Sequence, residues 1–217
     1  MAKMQAGDRL VMVGDSITDA GRERPQGRAP YGLGNGYAAL THAMLTVEHS
    51  ELAIEVRNMG IGGDTSRHIS QRWQTGVMAL KPQWISLMIG VNDVWRKFDH
   101  PESPELHVPL PVYQDILRTL VASTVAEVQG FLLISPFVLD LDTSDPMRTM
   151  VDEYRQSMKE IAREFSLPFY DTQEMFDGWM RDHHTPSLSP DRVHPTLFGH
   201  YLLARGLMAT IAAADWL

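Results

Sequence analysis

Residues 10–16 (LVMVGDS) are the stretch that decides the fold prediction. Four apolar residues lead directly into a Gly-Asp-Ser turn, which is typical of a buried β-strand that ends in a tight turn. In open parallel sheets, ligands bind in the crevice beyond the carboxyl ends of the strands. Because Ser16 follows such an end, we expect it to act as a nucleophile if another part of the chain supplies a base.

Segments with strand-like and helix-like patterns alternate about five times along the chain. This alternation predicts an α/β fold, a parallel sheet sandwiched between helices in a flavodoxin-like order. There is no internal repeat or linker, so residues 1–217 are expected to form one domain. The further predicted strands cover 53–58, 84–89, 131–135 and 168–171, the helices 37–48, 66–80 (capped by Ser66), 112–128, 147–165 and 173–181, and the long loops 19–36 and 96–111.

The last helix is predicted to begin at Pro195, since proline at a first helical position loses no hydrogen bond. Its apolar residues recur at helical spacing and predict one stripe that faces the core. The stripe comprises Leu197, Tyr201, Ala204, Met208 and Ile211.

Composition restricts the classes of partner. The chain has 19 basic and 27 acidic residues, for a formal net charge of −8, which disfavours nucleic acid or an anionic membrane as a partner. The absence of cysteine excludes disulfides, thiolate metal sites and a cysteine nucleophile. The first eight residues lack the apolar region of a secretory signal, so we expect a cytoplasmic protein.

Three turns that follow predicted strands offer hydrogen-bond donors at one edge of the sheet. They are the backbone N–H groups of Ser16 and Gly63, where a missing Cβ allows close approach to a ligand, and the side-chain amide of Asn92. The tetrahedral intermediate of acyl transfer needs fixed donors around its oxyanion. These three groups are the candidate oxyanion hole.

A candidate base and its acid lie near the other end of the chain, in residues 191–195 (DRVHP). A catalytic serine needs an imidazole to take its proton and a carboxylate to orient that imidazole. His194 precedes a proline and is therefore expected in a loop, within reach of Asp191.

Each of these signals has a plainer interpretation when it is taken alone. A Gly-Asp-Ser turn can be a helix start, residues 60–63 a plain turn or a degenerate dinucleotide loop, and Asn92 a left-handed turn residue. Asp-x-x-His occurs by chance, and eight of the nine histidines compete with His194. Asp15 and Asp93 are most simply side chains that stabilise turns by bonding local backbone.

Taken together, these motifs resemble the four blocks of the SGNH (GDSL) hydrolases. Gly14-Asp15-Ser16 matches the nucleophile block, Gly63 and Asn92 match the oxyanion glycine and asparagine, and Asp191 and His194 match the acid and base. The resemblance spans nearly the whole chain. It implies a three-layer α/β/α sandwich with a five-stranded parallel sheet, catalysis without metal or cofactor, and ester hydrolysis through an acyl-enzyme.

Within that family, residues 14–19, 89–96 and 145–148 are most similar to the bacterial intracellular acetylxylan esterases. This resemblance implies removal of acetyl groups from xylo-oligosaccharides taken up by the cell, often by a homo-oligomer. One departure is Pro190, because an aromatic residue precedes the catalytic Asp in that branch. Residues 187–190 are therefore expected to shape the rim that faces the sugar differently.

Three alternatives remain open on the sequence. The same blocks serve a general short-chain or aryl esterase, lipase or thioesterase, which would accept medium acyl chains that a small acetyl pocket rejects. A metal-dependent phosphoesterase would use Asp15, Asp93, Asp191 and histidines as ligands, and a non-catalytic carbohydrate-binding protein would bind sugar without ester turnover. Trp95 is either a wall of the acyl pocket or a packing residue.

Overall fold

A computed structural model describes residues 2–25, 27–183 and 188–217. Its centre is a sheet of five parallel strands in the order β2-β1-β3-β4-β5, which confirms the flavodoxin-like prediction. The strands are β1 (Arg9–Gly14), β2 (Glu55–Gly60), β3 (Trp84–Met88), β4 (Gly130–Ile134) and β5 (Phe169–Tyr170).

Helices cover both faces of this sheet and complete an α/β sandwich. Helix α2 packs against α8, whereas α5 packs against α3 and α6. None of the helices in the described part of the chain is both long and apolar enough to cross a membrane. The helices are α1 (Ser16–Asp19), α2 (Tyr37–Glu48), α3 (Ser66–Arg72), α4 (Val91–Asp99), α5 (Leu110–Thr124), α6 (Pro146–Glu164), α7 (Thr172–Met180) and α8 (Leu197–Ala213).

The strands follow from their composition. Residues 10–14 of β1 and all five residues of β3 are buried. A strand covered by helices on both faces has a nearly continuous apolar sequence, and this is why 10–14 and 84–88, with Ser86 as an exception, were recognisable as strands. Topology then brings the carboxyl ends of β1, β2 and β3 together, since Gly14 is in register with both Gly60 and Met88.

Helix α3 differs from its prediction at both ends. Thr65, not Ser66, is the N-cap, and Thr65 forms a capping box with His68. The α-helix ends at Arg72. It is followed by a π-helical turn over Trp73–Val77 and a 3-10 turn over Met78–Leu80. Ser66 is instead the first helical residue, and its hydroxyl donates a hydrogen bond to the buried carboxylate of Asp93.

Helix α4 lies where a turn and the start of a long loop were predicted. Its first turn buries Val91, Asn92, Asp93 and Val94. The Asn-Asp pair has the composition of a turn, but here tertiary packing outweighs that local preference. The remainder of the predicted loop 96–111 contains a 3-10 turn over Pro104–Leu106, and α5 begins at Leu110.

Helix α8 begins later than predicted and buries a different face. Its N-cap is Thr196, so Pro195 precedes the helix. Leu197 is 66% exposed and Tyr201 is 48% exposed, so the predicted stripe is wrong at its amino-terminal end. The buried face consists of Gly199, His200, Leu203, Ala204, Leu207, Met208 and Ile211.

Candidate active site

The turn after β1 presents Ser16 at the sheet edge. Asp15 is the N-cap of α1 and accepts a hydrogen bond from the Ile17 N–H at 2.9 Å, which is the local turn contact predicted for it. Ser16 is the first residue of that helix. Gly14 is required before it, because an added Cβ would lie 2.7 Å from the Met88 carbonyl oxygen. The serine is therefore held on a tightly packed turn between two neighbouring strands.

Ser16, His194 and Asp191 form a continuous chain of hydrogen bonds. Ser16 Oγ lies 2.9 Å from His194 Nε2, and His194 Nδ1 lies 2.6 Å from Asp191 Oδ2. Among the described histidines, a set that excludes His184, only His194 is hydrogen-bonded to Ser16. This geometry can pass a proton from the hydroxyl to the imidazole while the carboxylate orients the ring.

The carboxylate of Asp191 is fixed by its own loop. Its Oδ1 accepts hydrogen bonds from the backbone N–H groups of Val193 at 3.0 Å and His194 at 2.7 Å. Partial burial raises the pKa of Asp191, but the hydrogen bonds from the His194 ring and from these backbone groups outweigh it and lower the pKa to about 2. Asp191 is therefore an anion throughout the neutral range.

The loop after β2 lies against the nucleophile. A Cβ placed on Gly62 would lie 3.9 Å from the Ser16 Cβ. Gly63 has a φ of +82°, a conformation that residues with a Cβ rarely adopt, and this backbone requirement was not visible in the sequence. Within the described residues, no protein group accepts a hydrogen bond from the backbone N–H of Ser16 or of Gly63. Both donors are available to a ligand.

The side chain of Asn92 is held from two sides. Asn92 Nδ2 donates to the Asp64 carbonyl oxygen at 3.0 Å, and Asn92 Oδ1 accepts from Arg96 Nη2 at 3.0 Å. An amide nitrogen has two protons, so one remains for a further acceptor. The structure thus brings all five predicted site residues to the carboxyl edge of β1, β2 and β3.

Asp19 was missed as a contributor to this geometry. Its buried carboxylate accepts a hydrogen bond from the Gly62 N–H at 3.1 Å through Oδ2, and Arg24 Nη2 pairs with the same oxygen. These contacts fix the segment that presents the Gly63 N–H. They also show how the loop 19–36 is used, because it supplies Arg24 at the edge of the site.

Asp93 is more than a local turn residue, contrary to the simplest expectation. Its carboxylate crosses to helix α3 and accepts hydrogen bonds from the Ser66 N–H at 3.0 and 3.1 Å and from the Ser66 hydroxyl. Burial raises the pKa of Asp93 to about 6 and that of Asp15 to about 7. Two carboxyl groups with raised pKa values therefore lie buried beneath the candidate site.

Trp95 contacts the candidate base directly. The rings of Trp95 and His194 meet edge to face with their centroids 5.7 Å apart. A separate cavity of about 280 Å³ opens beside Gly63 and is lined by Thr65, His68 and Arg96 as well. Trp95 does not line this cavity, and its contact with the His194 ring places it on the histidine side of the site.

Arg96 and Asp64 both hold the side chain of Asn92, and neither was predicted to belong to the site. Arg96 follows Asn92 by four residues, a spacing that brings side chains together only on a helix. Because residues 96–111 were predicted to form a loop, the spacing of Asn92 and Arg96 did not indicate that their side chains are in contact. Asp64 contacts Asn92 through its backbone carbonyl. Any residue type would supply that group, so the sequence does not mark the position.

The rim before Asp191 is described only in part, because Ser187 lies outside the described residues. Leu188 is buried, and Ser189 Oγ donates to Asp191 Oδ1 at 3.1 Å. Among residues 2–25, 27–183 and 188–217, no three His, Asp or Glu side chains are grouped so as to hold a metal ion. The carboxylates proposed as ligands in the phosphoesterase alternative are instead engaged by His194, by Ser66 and by backbone N–H groups.

Comparison with known proteins identifies relatives over nearly the full length. The model of the GDSL-like lipase/acylhydrolase family matches residues 12–202. An acetylxylan esterase from Geobacillus stearothermophilus is 43% identical over 210 residues, which cover 96% of each chain. Its crystal structure superposes with a TM-score of 0.94, again over 96% of both chains.

A second solved structure extends the likeness beyond that enzyme. An alpha/beta hydrolase enzyme from the metagenome of Lake Arreo, Spain, is 37% identical, covers 96% of both chains and superposes with a TM-score of 0.92. Further structures of the Geobacillus esterase are described as catalytic mutants in which a serine, a histidine or an aspartate is replaced by alanine.

Proposed function

This chain belongs to the GDSL-like lipase/acylhydrolase family, and from that premise we propose that it is a serine esterase that removes acetyl groups from acetylated xylo-oligosaccharides. The observation that carries the chemistry is the chain of contacts from Ser16 Oγ through His194 to Asp191, at 2.9 and 2.6 Å. The substrate class rests on the 43% identity to an enzyme described as an acetylxylan and acetyl-xylooligosaccharide esterase.

The first half-reaction forms an acetyl-enzyme. His194 Nε2 takes the proton of the Ser16 hydroxyl as Oγ attacks the acetyl carbonyl carbon, and Asp191 stabilises the resulting imidazolium. The negative charge on the carbonyl oxygen is met by the N–H groups of Ser16 and Gly63 and by the free amide proton of Asn92. The C–O bond to the sugar then breaks, and the sugar oxygen leaves with the proton held by His194.

The second half-reaction repeats these steps with water. His194 takes a proton from the water as its oxygen attacks the acetyl carbon of the acyl-enzyme. The same three donors stabilise the second oxyanion, and acetate departs as Ser16 Oγ regains a proton from His194. No group other than these side chains and backbone amides is needed to balance the cycle.

The test is acetate release from acetylated xylo-oligosaccharides, measured beside hydrolysis of aryl acetate and aryl octanoate with a chelator present throughout. We expect rapid release from the sugar, little cleavage of octanoate, and loss of all three activities in Ser16→Ala. Octanoate cleavage that exceeds acetate cleavage would move the function to a general esterase or lipase. Near-full activity of Ser16→Ala would refute the mechanism.

We also propose that the enzyme acts in the cytoplasm and as a homo-oligomer. Both proposals are supported by the resemblance to the intracellular acetylxylan esterases. Cell fractionation with an antibody to this chain tests the first. Light scattering coupled to size-exclusion chromatography tests the second, and a mass of one chain, 24.4 kDa, would contradict it.

A further inference from the structure

A groove of about 390 Å³ opens next to the catalytic histidine, between helix α4 and the amino-terminal end of α6. Its volume lies within the range of about 300–1,000 Å³ that is usual for ligand sites. We call it the α4 groove. Its lining includes Trp95, Phe98, Asp99, Asp145, Asp191 and Arg192.

The chemistry of acyl transfer determines which part of a substrate reaches this groove. The leaving oxygen must take its proton from His194 Nε2, whereas the carbonyl oxygen must point toward the donors of Gly63 and Asn92. The α4 groove is walled by Trp95, which contacts the His194 ring, and by Asp191, which is bonded to it. The cavity of about 280 Å³ beside Gly63 shares none of these lining residues and adjoins the donor side of the site. The α4 groove therefore borders the histidine side of the site, where the leaving oxygen takes its proton.

The lining has the composition that a sugar ring needs. Trp95 and Phe98 offer aromatic surface on one wall, and Phe98 is 38% exposed although it is a large apolar side chain. Polar groups stand around them, so a ring can stack on an aromatic face while its hydroxyls form hydrogen bonds at the edge.

The charges favour a neutral ligand. Three carboxylates, those of Asp99, Asp145 and Asp191, face the groove with one guanidinium, that of Arg192. Arg192 is already paired, because its Nη2 lies 3.0 Å from Asp140 Oδ2 and 2.8 Å from Asp145 Oδ1. Asp99 is likewise paired, with Arg96. The lining of the groove therefore offers no unpaired cation to an anionic ligand and suits a polyhydroxylated neutral one.

From these observations we propose that the α4 groove is the binding site for the neutral xylosyl residues of the leaving group, with Phe98 as its stacking platform. This inference rests on the proposed function, which it deepens. Phe98 is then a residue that determines preference for the oligosaccharide over a small aryl ester, since an aryl acetate has no sugar to place there.

The experiment compares the wild type with Phe98→Ala and with Tyr31→Ala, a matched control that removes an aromatic side chain 90% exposed on the loop 19–36. For each protein, kcat/KM is measured on acetylated xylotriose and on 4-nitrophenyl acetate. Xylotriose, the deacetylated product, is also tested as a competitive inhibitor of aryl acetate hydrolysis. Circular dichroism melting checks that the variants are folded.

We expect the ratio of kcat/KM for the oligosaccharide to that for the aryl ester to fall about tenfold in Phe98→Ala, with the inhibition constant of xylotriose rising by a similar factor, and neither to change in Tyr31→Ala. If the wild type deacetylates acetylated xylotriose, an unchanged ratio and inhibition constant in Phe98→Ala would overturn the assignment of the groove and leave the proposed function standing. A wild type that xylotriose inhibits through Phe98 but that releases no acetate from the sugar would support the groove and refute the function. A wild type that neither deacetylates acetylated xylotriose nor binds xylotriose would overturn both.

Discussion

The guanidinium of Arg96 holds the side-chain oxygen of Asn92 at 3.0 Å. The amide nitrogen is held at the same time by the Asp64 carbonyl. An oxyanion donor lowers the barrier only if it already points at the developing charge, because reorientation during the reaction would cost free energy. We therefore predict that Arg96 has a positioning role that acts through Asn92, the proposed oxyanion donor.

Replacing Arg96 by Met should lower kcat on aryl acetate at least about tenfold and leave KM little changed, since the Asn92 amide loses its fixed orientation. Asn92→Ala should cost more, about 10²–10³-fold, because it removes the donor itself. Lys97→Met, which removes an exposed positive charge from the same helix, is the control. Equal losses in Arg96→Met and Lys97→Met would indicate an effect of net charge and contradict the positioning role.

Replacing Asp191 by Asn should reduce kcat by as much as about 10⁴-fold with little loss of folding stability. An amide can no longer stabilise the imidazolium, and it favours the wrong tautomer of His194. Steady-state kinetics on aryl acetate measures the effect, and Asp182→Asn, an exposed acid, is the control. A loss of less than tenfold in Asp191→Asn would show that His194 works without its carboxylate.

Replacing Asp15 by Asn should make the free energy of unfolding less dependent on pH. The pKa of Asp15 is raised by burial from 3.8 to about 7. Between these values the folded protein keeps a proton that the unfolded chain releases, so stability falls as pH rises through this window and levels off above it. Asn keeps an oxygen for the Ile17 N–H and has no charge to bury.

Urea denaturation at pH 4.5 and pH 8 measures this difference, and each unit of pKa shift corresponds to about 1.4 kcal/mol. The stability of Asp15→Asn relative to the wild type should be greater at pH 8 than at pH 4.5. Asp115→Asn, on the exposed face of α5, should follow the wild type at both pH values. Parallel pH profiles for Asp15→Asn and the wild type would contradict the raised pKa.

Replacing Ser66 by Ala should destabilise the protein by about 1–3 kcal/mol, because it removes a donor from the buried carboxylate of Asp93. The backbone N–H of residue 66 would remain. The loss is measured by chemical denaturation at pH 8, where the carboxylate is ionised. Ser70→Ala removes an exposed hydroxyl from the same helix and should change stability little. Equal effects of Ser66→Ala and Ser70→Ala would show that the contact with Asp93 contributes nothing to stability.

The strands were predictable because their sequences carry the information locally, and their alternation with helices indicated the flavodoxin-like order. A parallel strand buried on both faces is almost continuously apolar, as in residues 10–14 and in 84–88, where Ser86 is the one polar residue. Helix α8 shows the limit of such reasoning. It is apolar on most sides, so its sequence alone did not reveal that Leu197 and Tyr201 face outward while Leu203 and Leu207 are buried.

The sequence by itself determined the fold class and the residue types available for chemistry. Ser16, Gly63, Asn92, Asp191 and His194 stand out because each follows a recognisable strand or precedes a helix, and their catalytic roles stay a prediction until the variants are measured. Only the tertiary structure decided that Ser16 meets His194 across 178 residues, that Asn92 is held by Arg96 and Asp64, and that Asp93 reaches Ser66. The physical reason is that local patterns encode backbone conformation, whereas a contact between distant residues depends on how finished elements pack, and that packing is a property of the whole core.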